Sequence, residues 1–255
     1  MAAGLGAQSE QLAPSGAPRF WDYPDADAHS VHFYADDAYL IEGLARFIGS
    51  SIAQGNPAVI LATEPHRRPL QDLLAARGVD LSVARDQGRY VELDARQTLD
   101  SFLVDGWPDR ERFLDAIGST LAAAAGAAEE GHRRVAAFGE MVALLYADGR
   151  PEAAIRLERL WNELAQTYSF YLPCAYPMGA FTDAGDAEHL AAVCAEHSTI
   201  VPAESYTALG SEDDQRRLIA VLQQKAQVLE REIDRLRTLE EDLLQRVAAA
   251  AGSRT

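Results

Sequence analysis

Short apolar runs alternate with amphipathic segments from about residue 28 to residue 200, and this alternation constrains the fold most. PAVILAT, residues 57–63, is apolar throughout, as in a strand buried on both faces. The segments between the runs carry apolar residues at helical spacing. Strands that alternate with helices form a parallel sheet covered by helices on both faces. The sequence therefore predicts an α/β domain over residues 28–200, with strands at 31–34, 57–63, 89–94, 133–140 and 170–176.

Charge and composition narrow the functional classes. The 255 residues carry a formal net charge of −16, which disfavours nucleic acid and anionic membranes as partners. No apolar stretch approaches the roughly 20 residues of a membrane-spanning helix. Residues 1–27 have neither the basic start nor the apolar run of a signal peptide, so we expect a disordered leader and a cytoplasmic location. The two cysteines, Cys174 and Cys194, do not indicate a disulfide scaffold.

The lysine count excludes two kinds of cofactor site. The chain has 22 arginines but a single lysine, Lys225, which lies outside the predicted α/β domain. A phosphate-loop NTPase uses a lysine of its first loop to reach the β and γ phosphates. A pyridoxal enzyme needs a lysine for its Schiff base. Neither site can be built in this domain, and the sequence predicts no cofactor.

The segment HSVHFYADDAYL, residues 29–40, joins the first strand directly to a helix. In nucleotide-binding α/β proteins such a junction holds a glycine-rich phosphate loop. Here no glycine lies between Ser30 and Glu42, and Asp36 or Asp37 is in position to cap the helix. The junction is therefore not built to bind a nucleotide phosphate.

Polar residues at the carboxyl ends of the strands form the candidate ligand site, because open parallel sheets bind ligands there. For Asp36, Asp37 and Asp94 the competing interpretation is helix capping. Glu140 follows a glycine at a strand end, in FGEMV, and is equally suited to face a ligand or a partner. No histidines or cysteines have zinc-site spacing, so no metal site is predicted, and Trp161 is expected in the core. The candidate ligand-binding residues are His32, Tyr34, Asp36, Glu64, Glu140 and Tyr176.

Residues 213–249 carry a heptad repeat that predicts a coiled coil after a connector at 201–212. Leucine recurs at d, and the β-branched Ile219 and Ile233 at a favour a parallel pair of helices. Ala226 and Glu240 occupy the other a positions and weaken the seam. Lys225 would face Glu230 of a second copy, which favours a homodimer. The alternative is a single amphipathic helix folded onto the α/β domain, and residues 250–255 would be a tail. The predicted dimer contacts are Ile219, Leu222, Leu229, Ile233, Leu236 and Leu243.

Several phrases occur in one order over residues 28–182: HFYADDAYL, PAVILAT, GRYVELDA, VDGWPD, RRVAAFGEMVALL, LERLWNEL and FYLPCAYP. Together they resemble the MEDS domain, a sensory domain named for methanogens, methylotrophs and a dichloromethane-responsive repressor. The resemblance implies a relative of RecA and KaiC-like ATPases that has lost the nucleotide-binding motifs. ADDAYL then stands in place of the phosphate loop, and FGE stands where an aspartate for magnesium would end the fourth strand.

The resemblance also implies a place in signalling, since this domain occurs at the start of bacterial histidine kinases and regulators. Those proteins continue past a comparable helix into an output domain, whereas this chain ends at Thr255. We therefore expect a histidine kinase or another regulator to supply the output, unless the coiled coil is itself the output surface.

The sequence favours a non-enzymatic signalling module that binds a small ligand or a protein at the strand ends and changes its coiled coil. Two alternatives stay open. One is a small hydrolase that uses Glu140 with His32 or Asp36 as acid and base. The other is a protein that still binds nucleotide without hydrolysing it.

Overall fold

The computed structural model of the protein describes residues 29–129, 134–182, 185–207, 209 and 211–252. The predicted leader, residues 1–27, lies outside the described residues, as does the end of the predicted tail. Contacts divide the chain into one compact unit that ends at Thr207 and a second unit that follows it. The first unit is an α/β domain, and the second contains a single long helix.

The α/β domain is built on a six-stranded sheet in which every neighbouring pair of strands is parallel. The five predicted strands are all present. One more strand, at residues 199–201, pairs with the first strand and forms an edge of the sheet. The strand order is β3-β2-β6-β7-β1-β8. These strands are β1 (His29–Tyr34), β2 (Ala58–Ala62), β3 (Tyr90–Asp94), β6 (Val135–Gly139), β7 (Phe170–Pro177) and β8 (Thr199–Val201).

A small antiparallel hairpin, which we did not predict, joins β4 (Leu103–Val104) to β5 (Trp107–Pro108). Its turn places Asp105 at φ 51° and Gly106 at φ 82°. Asp-Gly with both residues at positive φ is the preferred sequence of a tight hairpin turn. The sequence VDGWPD therefore forms a hairpin.

Helices follow most strands and cover both faces of the sheet. Asp36, Asp94 and Asp109 each accept a hydrogen bond from a backbone amide at the start of a helix. No helix among the described residues is both long and apolar enough to cross a membrane. The helices are α1 (Asp37–Ala53), α2 (Glu64–Ala76), α3 (Leu81–Asp86), α4 (Ala95–Phe102), α5 (Arg110–Gly126), α6 (Met141–Ala147), α7 (Pro151–Leu164), α8 (Asp186–Ala195), α9 (Glu204–Thr207) and α10 (Glu212–Gly252).

Two apolar cores lie on opposite faces of the sheet, because side chains alternate along each strand. Val31 and Phe33 of β1 belong to the core that contains Trp161 of α7. Tyr34 belongs to the other core, with Leu44 of α1. Every residue of β2 is fully buried, which agrees with its continuous apolar sequence.

Candidate functional site

The junction between β1 and α1 is occupied by carboxylates of the protein itself. Asp36 Oδ1 accepts the Ala38 amide at 2.9 Å and caps α1. The Ala35 amide donates to both carboxylate oxygens of Glu204 from α9, at 3.2 and 3.1 Å. In a phosphate-binding protein such amides face the ligand. Here internal anions take their place, so the capping interpretation of Asp36 is correct.

Glu140 is the centre of a hydrogen-bonded group at the carboxyl edge of the sheet. Its side chain is buried, and its Oε1 lies 2.7 Å from His66 Nδ1. Its Oε2 accepts from Thr63 Oγ1 at 3.0 Å, at the end of β2. The other ring nitrogen of His66 lies 3.5 Å from Asp37 Oδ1, and the Tyr34 ring stands edge-on to the imidazole. We call these five residues the Glu140 cluster.

The carboxylates of the Glu140 cluster raise the pKa of His66. Burial alone would lower the pKa of His66, but the hydrogen bond and charge of Glu140, helped by Asp37, raise it above the ordinary value. Burial, then the charges of Glu140 and Asp37, raise the pKa of Tyr34, so its hydroxyl stays neutral. Both nitrogens of His66 face carboxylates. This arrangement favours the protonated form of the ring.

The raised pKa of His66 should make the free energy of unfolding depend on pH. Because its folded pKa lies above 6.5, its contribution is complete below that pH and is lost as pH rises through the folded pKa. We expect His66→Gln to lower the free energy of unfolding, and the difference from wild type to shrink as the pH rises above about 6.5. Urea unfolding across this range measures it, with His189→Gln as the matched histidine control. A difference that is constant with pH would contradict the assignment.

The structure brings only part of the predicted site together. Tyr34 and Glu140 share the cluster. His32 lies inside β1 with its Nε2 3.0 Å from Ser30 Oγ, and burial, then the charge of His197, lowers its pKa to about 3. Glu64 is exposed in the first turn of α2. Tyr176 is fully buried, and its hydroxyl donates to Glu158 Oε1 at 2.8 Å, outside the Glu140 cluster.

The partner of Glu140 also differs from the prediction. The hydrolase hypothesis paired Glu140 with His32 or Asp36, whereas the structure pairs it with His66 and Thr63. Thr63 directly follows β2 and His66 lies within the first turn of α2. In this segment the strand-end criterion selected Glu64, whereas the side chains that contact Glu140 are those of Thr63 and His66.

A cleft of about 680 Å³ lies beyond the carboxyl end of β7. Tyr146, in the last turn of α6, donates its hydroxyl hydrogen to Asp186 Oδ1 at 2.5 Å on the cleft wall. Pro177, Gly179 and His189 also line this cleft. Small-molecule sites have volumes of roughly 300–1,000 Å³. Since Glu140 immediately precedes α6, one short helix separates the Glu140 cluster from a cleft of ligand size.

Comparison with known proteins places the chain by family and by fold. The sequence profile of the MEDS family, described as the methanogen/methylotroph, DcmR sensory domain, matches residues 28–198, about two thirds of the chain. A KaiC-like protein of Pyrococcus horikoshii is 18% identical over 68% of this chain and 75% of its own, with a TM-score of 0.44. No curated protein matches significantly.

A second solved structure is an uncharacterized protein of Pyrococcus horikoshii in complex with an unknown peptide. It is 12% identical, covers 72% of this chain and 80% of its own, and has a TM-score of 0.51. At this identity the likeness concerns the fold alone. The parallel sheet with helices on both faces confirms the expected α/β fold, which this second structure shares.

Proposed function

Because the chain belongs to the MEDS sensory-domain family, we propose that it is a sensory module with two working parts. Its α/β domain binds a small molecule in the cleft beyond β7, and its helix α10 pairs with α10 of a second copy. The occupied cleft changes the pairing of α10, and a histidine kinase or another regulator reads that change.

The cleft is the observation that carries the ligand proposal. Its lining combines apolar surface from Pro177 and the Tyr146 ring with polar groups of Asp186 and His189. Mostly apolar walls with a few placed polar groups are typical of small-molecule sites. A compact, partly apolar molecule with one or two hydrogen-bonding groups fits this lining.

Two observations disfavour the alternative functions. The Ala35 and Ala38 amides, where a nucleotide phosphate would sit, already bind the carboxylates of Glu204 and Asp36. These anions would repel a triphosphate. The Glu140 cluster offers His66 no free nitrogen for a substrate. We therefore propose that the module neither binds nucleotide nor turns over a substrate.

The apolar face of α10 supports pairing with a second copy. Its a and d side chains are exposed in the single chain, from 41% for Ile219 to 62% for Leu229. Covering a leucine is worth about 1.5–3 kcal/mol, so such a stripe favours association. The heptad spacing and the complementary charges of Lys225 and Glu230 select a matching helix in the same register.

Glu204 supports a connection between the sheet edge and α10. It belongs to α9, which lies between β8 and α10 in the chain, and its carboxylate holds the Ala35 amide at the β1–α1 junction. A change at this junction therefore acts on the segment that leads into α10. A ligand shifts the pairing only by its different affinity for the two states.

The cleft can be filled by substitution at Gly179. A Cβ at Gly179 meets no atom within 4 Å, and the same is true of Gly126 at the end of α5, outside the cleft. We expect Gly179→Leu to reduce the amount of small molecule that co-purifies by at least about tenfold, which corresponds to roughly 1.4 kcal/mol. Mass spectrometry of denatured extracts measures it against wild type and Gly126→Leu. Equal amounts in all three proteins, or none in wild type, would contradict the proposal.

A further inference from the structure

Four metal-binding side chains meet on the sheet face covered by α7 and α8, away from the Glu140 cluster. His29 begins β1, Glu158 lies in α7, Cys174 lies in β7 and His197 follows α8. All four are buried, and one ligand atom from each lies within 4.8 Å of the others. We call them the His29 cluster.

Four of the six distances between these atoms are close to the edges of a metal-centred tetrahedron, and the other two are at most 4.8 Å. Glu158 Oε2 lies 3.2 Å from His29 Nε2, 3.5 Å from His197 Nε2 and 3.4 Å from Cys174 Sγ. His29 Nε2 lies 3.3 Å from Cys174 Sγ. Metal bonds of about 2.0–2.3 Å to nitrogen, oxygen and sulfur give tetrahedral edges of roughly 3.3–3.6 Å. The four atoms are thus spaced to surround one ion.

The neighbours of the cluster orient these atoms inward. His29 Nδ1 donates to Asn162 Oδ1 at 2.8 Å, and His197 Nδ1 donates to the Val193 carbonyl oxygen at 2.7 Å. Each ring therefore turns its Nε2 toward the cluster. A second interaction that fixes the outer nitrogen is the usual arrangement of metal-binding histidines.

The two carboxylate oxygens of Glu158 also have separate partners, one outside the cluster and one inside it. Its Oε1 accepts the Tyr176 hydroxyl at 2.8 Å, which leaves Oε2 for the cluster. The His197 side chain is fully buried, and its Nε2 lies 3.5 Å from Glu158 Oε2, at the outer limit of a hydrogen bond. An ion bound between the two atoms would satisfy this buried nitrogen more fully.

We propose that His29, Glu158, Cys174 and His197 bind one divalent transition-metal ion, and that zinc suits them best. Imidazole, thiolate and carboxylate ligands in a closed four-coordinate set are typical of zinc, whereas magnesium and calcium prefer oxygen alone. The thiol of Cys174 gives up its proton when the ion binds. A cleft of about 300 Å³, lined by both histidines, connects the cluster to the surface.

The ion would join parts of the chain that are far apart in sequence. It would link β1 and β7 to α7 and to the segment between α8 and β8. This proposal does not depend on a ligand in the cleft beyond β7, since the two sites share no residue.

Zinc titration of tag-free, chelator-treated protein tests the site, in competition with a chromophoric chelator. We expect one Zn²⁺ per wild-type chain. Cys174→Ser and His197→Gln should each weaken zinc binding by at least about 100-fold. Cys194→Ser and His189→Gln, which change the same residue types outside the cluster, should leave it unchanged. Equal zinc binding by wild type and Cys174→Ser would overturn the proposal.

Two further measurements keep the test independent of how well a variant folds. Co²⁺ bound to wild type should show thiolate-to-cobalt absorption, because Cys174 is a ligand. Asn162→Ala removes the acceptor of His29 but no ligand, and should weaken zinc binding by about 10–100-fold while one ion per chain is retained. If wild type binds less than one zinc ion per chain, or if its cobalt form lacks the thiolate-to-cobalt band, the cluster is only a buried ion pair.

Discussion

Replacing Leu229 and Leu236 with aspartate is expected to convert the proposed dimer into a monomer. These residues are 62% and 56% exposed in the single chain, so the change breaks no packing within it. In a paired coil each leucine at d contributes about 1.5–3 kcal/mol, and four would be lost per dimer. We expect the dissociation constant to rise by more than about a thousandfold, measured by sedimentation equilibrium.

Gln224→Asp with Gln245→Asp is the matched control, because it adds the same two charges to the outer face of α10. Both glutamines are exposed and occupy f positions of the heptad. This control should remain dimeric. A Leu229→Asp/Leu236→Asp protein that sediments like wild type would exclude pairing through the predicted seam.

Trp161→Ala is expected to lower the free energy of unfolding by about 3–5 kcal/mol, the cost of a large cavity in a core. Trp161 is 1% exposed and packs edge-to-face against Phe113 and Phe170, with ring centres 5.2 and 5.8 Å away. It therefore joins α7 to α5 and to β7. Urea unfolding followed by circular dichroism measures the change.

Trp161→Phe separates the contribution of ring packing from the cost of the buried indole N–H group. The indole Nε1 is buried without a hydrogen-bond partner among the described residues. Phenylalanine removes this unsatisfied donor and keeps a ring, so we expect a cost of only about 1 kcal/mol or less. Equal losses in the two variants would show that ring packing is not what Trp161 contributes.

The main strands could be predicted because their signal is local. Residues 57–63 form an apolar run bounded by proline and by a helix start, and Trp161 lies on the apolar face of its helix. β8 was not predicted because its three residues, Thr199–Val201, are too few to show a strand pattern in the sequence. Their strand conformation depends on pairing with β1. The Asp105–Gly106 turn was missed although its signal was present.

The side-chain groups could not be predicted from spacing, because the fold brings their members together from distant positions. Glu140 and His66 are 74 residues apart, and His29 and Cys174 are 145 apart. Metal-motif spacing detects only ligands that lie close in the chain. Parallel pairing of β1 with β7, which no local pattern reports, places His29 and Cys174 on neighbouring strands.

Native mass spectrometry of the purified full-length protein tests the proposed sensory module most directly, because it reports subunit number and retained small molecules together. The account predicts a dimer that carries added organic mass in the wild type and in Gly126→Leu, and loses that mass in Gly179→Leu. A bare monomer at micromolar concentration would contradict both the pairing of α10 and the ligand in the cleft.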